Sequence, residues 1–250
     1  ETTKTRTTFE HAEGLVEYDV QADHYIPMEE LRATNDPRLQ DMMEGRWDTF
    51  GGESPASEPR DADHVLFVGR LSAQKGAADL LRAVAEVARA RPSVRLTIIG
   101  DGAERSRLEQ SVHDIGIAER VTFRGSLDTR DVARAYRTAT VLAVPSTVGA
   151  AGEREGFGLV AVEAMLAGLP VVATATGGLV DIVRDGETGL LVPAGDPSAL
   201  AGAIARLLSD PAAARSMAER ARADVARRFA PSAIAQRYRE LYRGMTESNR

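Results

Sequence analysis

The segment Gly69-Arg70-Leu71-Ser72-Ala73-Gln74-Lys75-Gly76 places two cations five residues apart, between an apolar run and an amphipathic stretch. Lysine offers a point charge and arginine a planar fork, and together they can grip a diphosphate. Lys75 and Lys4 are the only lysines in the chain, against 29 arginines. An isolated pair of this kind usually belongs to a solvated surface loop. Its position at the end of a buried strand moves the reading toward an anion site.

A second constellation is Glu155-Gly156-Phe157-Gly158-Leu159-Val160-Ala161-Val162-Glu163. Glycines before an apolar helix leave backbone N–H groups open to an anion, and the helix dipole favours negative charge there. Glu163 follows Glu155 by eight residues, so both can look to one side if Glu155 stands just before the first turn. The spacing alone carries no weight, because a Glu ahead of a helix is also an ordinary dipole-favoured residue. Gly156 to Ala161 also fits G-x-G-x-x-A, a dinucleotide fingerprint. That reading fails twice. The preceding strand ends well upstream, at Val144, and no acid closes the next strand, which reads Ala173-Thr174-Ala175-Thr176. No Walker loop and no G-x-S-x-G elbow is present. Acidic spacings suited to two-metal chemistry are missing as well.

Composition bounds the remaining choices. The chain has 250 residues, 43% hydrophobic and 27% charged, enough for one large or two smaller packed units. It has no cysteine, which excludes disulfides, thiolate metal sites and a cysteine nucleophile. The four histidines never take a metal-ligand spacing, so no metal is expected. No apolar run reaches the roughly 20 residues of a membrane span, and no secretory signal opens the chain. A cytoplasmic protein is the expectation. The net charge of −6 is uneven: residues 1–63 carry −10 and residues 64–250 carry +4. Neither part has a basic stripe with interleaved aromatics, so no nucleic-acid partner is expected.

Residues 1–63 read as a leader, linker or remnant, with one short strand over Gly14–Val20, a short helix within 27–43 and a small-residue linker over 51–59. The chain opens on Glu1 rather than Met, as a piece of a longer protein would. From His64 the pattern changes. Expected strands lie at 64–69, 94–99, 121–124, 141–144, 171–175 and 189–192. Expected helices alternate with them at about 77–90, 103–112, 129–138, 157–167 and 179–184, and three more close the chain at about 197–209, 211–228 and 231–243. Such alternation predicts an α/β domain: a doubly wound, Rossmann-like parallel sheet over residues 64–250. Ligands in such sheets sit beyond the carboxyl ends of the strands. Both constellations fall there.

Taken in order, VLFVGRLSAQKG (65–76), IIGDG (98–102), VTFRGSL (121–127), PS (145–146), EGFGLVAVEAMLAGLPVVAT (155–174), GG (177–178) and DGETGLLVPAGD (185–196) resemble the C-terminal, donor-binding domain of GT4-type retaining glycosyltransferases, which have the GT-B fold. The resemblance covers roughly 180 residues and rests on the ordered set. It implies transfer of a sugar from a nucleotide-diphosphate sugar to a sugar, lipid or small-molecule acceptor, without a metal or other cofactor.

Carried over, the resemblance implies that Arg70 and Lys75 neutralise the donor diphosphate and that Glu155 meets hydroxyls of the donor sugar. Backbone N–H groups of Phe157, Gly158 and Leu159, after Gly156, would face the sugar and distal phosphate. Glu163 would take the ribose hydroxyls. Ser126 and Leu127 would form the edge that meets the base, and Gly69 and Gly102 would line the donor site. Asp181 stands where the family often has Glu. The family's first half, which binds acceptor, has no counterpart of its size in residues 1–63, so an N-terminal acceptor half is expected in the full-length protein. A peripheral membrane contact is compatible with that arrangement. The alternatives are a non-catalytic nucleotide-sugar-binding module and a GT-B-like epimerase or phosphorylase.

Overall fold

In a computed structural model of the chain, the described residues are 6–11, 14–19, 60–148 and 156–229. The expected helices within 27–43 and over 231–243, the linker 51–59 and Glu155 lie outside them. Two short strands, β1 (Arg6–His11) and β2 (Gly14–Asp19), pair antiparallel with Arg6 opposite Asp19 and His11 opposite Gly14. The sequence pattern suggested only the second.

The main unit is a six-stranded parallel sheet: β3 (His64–Val68), β4 (Arg95–Ile99), β5 (Val121–Gly125), β6 (Val141–Val144), β7 (Val171–Thr174) and β8 (Leu190–Val192). Their order across the sheet is β5-β4-β3-β6-β7-β8. Helices α1 (Ala77–Ala90), α2 (Arg105–Asp114), α3 (Thr129–Thr138), α4 (Leu159–Leu166) and α5 (Leu179–Ile182) connect successive strands. Then α6 (Pro197–Ser209) and α7 (Pro211–Arg228) follow. This is the doubly wound sheet expected.

Alternation along the strands builds two cores. Val65 and Phe67 of β3 face Leu80, Leu81 and Val84 of α1 and Ile204 of α6. Leu66 and Val68 point the other way, toward Tyr136 of α3 and Val162 and Met165 of α4. The side-chain period of two decides the split, and central strands must be apolar on both faces. β3, β6 and β7 are nearly all buried, whereas edge strand β5 exposes Thr122 and Arg124. Helix α7 joins both cores, through Ala214 and Met217 on one side and Ala221 and Val225 on the other.

The packed unit begins before His64. Arg60 reaches under the sheet, and its Nη1 donates to the carbonyls of Tyr136 (2.9 Å) and Ala139 (2.7 Å). Its Nη2 donates to the carbonyls of Ala167 (3.2 Å) and Gly168 (2.7 Å). One guanidinium thus caps the carboxyl ends of α3 and α4, whose last carbonyls have no partner inside their own helices. Burial, and then the charge of Arg215, lower its pKa. Arg60→Ala is expected to cost about 2–4 kcal/mol of unfolding free energy in urea denaturation. A loss below about 0.5 kcal/mol would show that water caps these helix ends equally well.

Candidate functional site

Strand order reverses between β3 and β6. From β3 the chain leaves by α1 toward one face, and from β6 by α4 toward the other. The two departing loops therefore diverge above neighbouring strands, which opens a crevice at the carboxyl edge. The first loop holds Arg70 and Lys75. Gly69 leaves β3 with its N–H bonded to the Ile99 carbonyl at 3.0 Å. Leu71 is fully buried and pins the loop, donating to the Asp101 carbonyl and accepting from the Glu104 N–H, both at 2.9 Å. Gly102 packs against that same Leu71 backbone. Arg70, next to this anchor, is exposed. Lys75 ends a short turn over Ala73–Lys75 and is half-buried.

Gly76 closes that turn in the left-handed region, at φ +68°. A Cβ there would lie 1.8 Å from the Pro145 carbonyl oxygen, so only glycine lets the two loops meet. Beside it the Thr147 N–H donates to the Gln74 carbonyl at 2.7 Å. The buried Thr174 hydroxyl, at the end of β7, donates to the Ser146 carbonyl from the opposite side. The Pro145–Thr147 segment is held from both flanks.

Helix α4 starts two residues later than its apolar pattern suggested, because Gly158 adopts φ +74° and breaks the helical run. A Cβ on Gly158 would lie 2.7 Å from Leu179 Cδ2. The Gly178 N–H donates to the Gly156 carbonyl at 3.2 Å, which seats the Gly156-Phe157-Gly158 segment on the turn before α5. The structure therefore gathers Gly69, Arg70, Lys75, Gly102, Gly156, Phe157, Gly158 and Leu159 at the carboxyl edge of the sheet. Ser126 (exposed) and Leu127 (half-buried) follow β5 at the same edge. Glu163 lies one turn into α4 with 6% exposure, its Oε2 accepting from the Tyr136 hydroxyl at 2.9 Å.

Tyr136, Thr174 and the network around α7 were not picked out from sequence. In α3, Val132, Ala133 and Tyr136 form an inward stripe at helical spacing, and a buried phenol needs an acceptor. That was the available signal. In α7, Asp224 is 2% exposed and meets Arg228 (2.8 Å), Arg227 (3.1 Å) and Arg184 (3.2 Å). Burial pushes its pKa up, but the Arg228 hydrogen bond and the charges of Arg228, Arg184 and Arg227 outweigh it, and the value falls. Arg228 also donates to the carbonyls of Asp181 and Ile182. Its guanidinium lies 5.1 Å from the ring centre of Phe229. Phe229 in turn meets Phe157 edge to face at 5.5 Å. Asp224 is thereby linked to the Phe157 segment. Among the described residues no cluster of three or more His, Asp or Glu side chains is arranged to hold a metal.

The family model for glycosyl transferases group 1 matches residues 53–224. The chain belongs to this glycosyltransferase family. It is 43% identical over 159 residues to a D-inositol 3-phosphate glycosyltransferase of Acidothermus cellulolyticus, covering 60% of this chain and 34% of the relative. An uncharacterized glycosyltransferase of Methanocaldococcus jannaschii is 33% identical over 183 residues, covering 73% of this chain and 45% of the relative. The group 1 domain described here thus spans less than half the length of these relatives. Among solved structures, HepE of Anabaena, in complex with UDP and glucose, is 28% identical with a TM-score of 0.65, over 82% of this chain and 52% of that one. Sucrose-phosphate synthase of Thermosynechococcus elongatus is 40% identical with a TM-score of 0.62, over 78% and 47%. The Rossmann-like sheet of the group 1 domain is that of GT-B glycosyltransferases. No helix among the described residues is long and apolar enough to cross a membrane.

Two substitutions test the geometry. Gly76→Ala is expected to lower unfolding stability by about 2 kcal/mol or more in chemical denaturation, since it meets backbone and a strained φ together. A neutral result would mean that the two loops separate freely. For Asp224→Asn the expected loss at pH 7 is about 2–3 kcal/mol. The folded chain keeps this carboxylate charged to lower pH than the unfolded chain does, so the unfolded state takes up the proton first. The contribution of Asp224 is complete above about pH 4 and fades as pH falls through the lowered folded value. The stability curves of variant and parent should therefore converge in acid, and parallel curves would contradict the ion network.

Proposed function

We propose that this domain binds the nucleoside-diphosphate part of a sugar nucleotide, and that the full protein transfers the sugar to an acceptor with retention of configuration. The supporting observation is the joining of the Arg70/Lys75 loop to the β6 loop at the switch point, with the α4 amino end at the same edge. In this reading Arg70 and Lys75 carry the charge compensation on the departing diphosphate, with no metal ion assigned to that task. The N–H groups of Phe157, Gly158 and Leu159 add the helix-end contribution at the distal phosphate and sugar. Glu155 holds donor-sugar hydroxyls. Glu163 accepts from the ribose hydroxyls, with Ser126 and Leu127 along the base and Gly69 and Gly102 lining the site.

The reaction proposed is the one that the family resemblance implies. The bond between the sugar's anomeric carbon and the diphosphate oxygen breaks, and its electron pair leaves with the diphosphate. The acceptor hydroxyl oxygen bonds to the same carbon on the same face, and its proton passes to the departing phosphate oxygen. Cations on the leaving group stabilise the charge that grows there as the bond opens. An N-terminal half, absent in size from residues 1–63, is assigned the acceptor, whether sugar, lipid or small molecule. A peripheral membrane contact would belong to that half, and the protein is placed in the cytoplasm. The names of the relatives, all glycosyltransferases, lend nothing to the epimerase or phosphorylase alternatives.

The test is a thermal-shift panel of UDP, GDP, ADP, TDP and NAD on the parent chain and on Lys75→Ala. A ligand at about 100 times its Kd adds about 2.7 kcal/mol of stability. One nucleoside diphosphate should raise the midpoint of the parent, the variant should lose most of that rise, and NAD should do nothing. A rise with NAD, or an undiminished rise in the variant, would overturn the assignment.

A further inference from the structure

We infer that Tyr136 is a positioning residue for the donor's ribose, its hydroxyl setting the Glu163 carboxylate toward the nucleoside sugar. The inference rests on the ribose role proposed for Glu163 and goes on to name what orients it. Helix α4 reads LVAVEAML, with Glu163 its single ionisable residue and neighbours Ala161, Val162, Ala164 and Met165 all buried. An aliphatic side chain would fill this place without the cost of burying a charge. Packing does not account for a carboxylate here. The 2.9 Å bond from Tyr136 is one contact that holds it, and Tyr136 is itself fully buried in the core shared by Leu66, Leu142 and Met165.

The geometry of the two helices gives the bond its direction. Both α3 and α4 start at the carboxyl edge of the parallel sheet and run away from it. Helical side chains lean toward the amino end, so the phenol rises from the last turn of α3 toward the first turns of α4. The backbone beneath is fixed by Arg60, whose fork takes the Tyr136 carbonyl and, on its other nitrogen, the carbonyls that end α4. The two helices are tied at their far ends by one guanidinium and midway by one charge-assisted bond. A carboxylate held at Oε2 keeps its remaining acceptor lone pairs within a narrower range of angles. The vicinal diol of a ribose offers two O–H donors to match. A deoxyribose offers one fewer.

The experiment measures equilibrium binding of UDP, GDP and ADP, each beside its 2′-deoxy counterpart. The proteins are the parent chain, Tyr136→Phe, Glu163→Gln and the double variant. Hydrogen bonds to charged groups lead us to expect a ribose preference of about tenfold in the parent for the base that binds. Both single variants should reduce it to about twofold or less, and the double variant should lose no more than Glu163→Gln alone. The ratio is the readout because a general loosening weakens both ligands alike. If Tyr136→Phe is too unstable to assay in plain buffer, the same ratio is read for parent and variant in a stabilising osmolyte such as sucrose.

A Tyr136→Phe variant that keeps the full preference while Glu163→Gln loses it would overturn the inference and leave the ribose role intact. A further loss in the double variant would overturn it too, because Tyr136 would then act on its own. If Glu163→Gln keeps the preference, the ribose role fails and the inference with it. Absence of binding by any diphosphate to the parent chain would reject the donor site as a whole.

Discussion

The contact between Gly76 and the Pro145 carbonyl is the constraint on which this site depends. In a doubly wound sheet the connections on either side of the switch point leave in opposite directions, and nothing in the winding itself brings them together. Here a left-handed glycine removes the one side-chain atom that would keep them apart. The Thr147–Gln74 backbone bond then joins the two loops. A loop carrying two cations is most useful when it does not have to order itself around its ligand, since ordering costs roughly 1–2 kcal/mol per residue. The buried Leu71 anchor, bonded on both its backbone groups, serves the same end.

The polar groups buried in this domain follow a pattern that a stability argument alone would not produce. Ser146, Glu163, Thr174 and Thr176 are all buried, and all lie at or near the carboxyl edge of β6 and β7. The apolar cores on both faces need none of them. Thr174 is matched with the Ser146 carbonyl and Glu163 with Tyr136. Buried polar pairs of this kind gain little net free energy, but they fix geometry tightly because an unmade bond in the interior is expensive. Their concentration at one edge marks where geometry matters most. Two residues are exceptions in place: Thr188, before β8, accepts from the Arg184 N–H, and Asp224 lies on α7, where its partner Arg228 reaches the Asp181 and Ile182 carbonyls and Phe229.

How much of this was legible in the sequence differs by element. The strands were readable because parallel strands buried on both faces give unbroken apolar runs, as HVLFV and VLAV do. The candidate residues Arg70, Lys75 and Glu163 were readable because charged residues beside apolar runs stand out. The start of α4 was placed two residues early, since Phe157 continues the apolar pattern and only the conformation of Gly158 ends it. Arg60 was hidden for another reason. Its partners are carbonyls, some of them more than 100 residues away, and backbone acceptors leave no trace in side-chain identity. Tyr136 looked like ordinary core, and only the fold brings it against Glu163.

These ties converge on the amino end of α4. The Gly178 N–H seats the Gly156 carbonyl, and Leu179 packs where a Gly158 side chain would be. Phe157, 40% exposed, meets Phe229 edge to face. From below, Arg60 fixes the last turn of the helix while Tyr136 holds its one carboxylate. A helix end stabilises an anion through N–H groups and a dipole whose direction is that of the backbone, so its contribution is as good as the backbone's placement. A side-chain cation such as Arg70 can swing to follow a ligand, but a helix cannot. In the proposed site, the buried polar contacts around α4 thus hold the part that cannot adjust, while the adjustable cation Arg70 stays exposed on its loop.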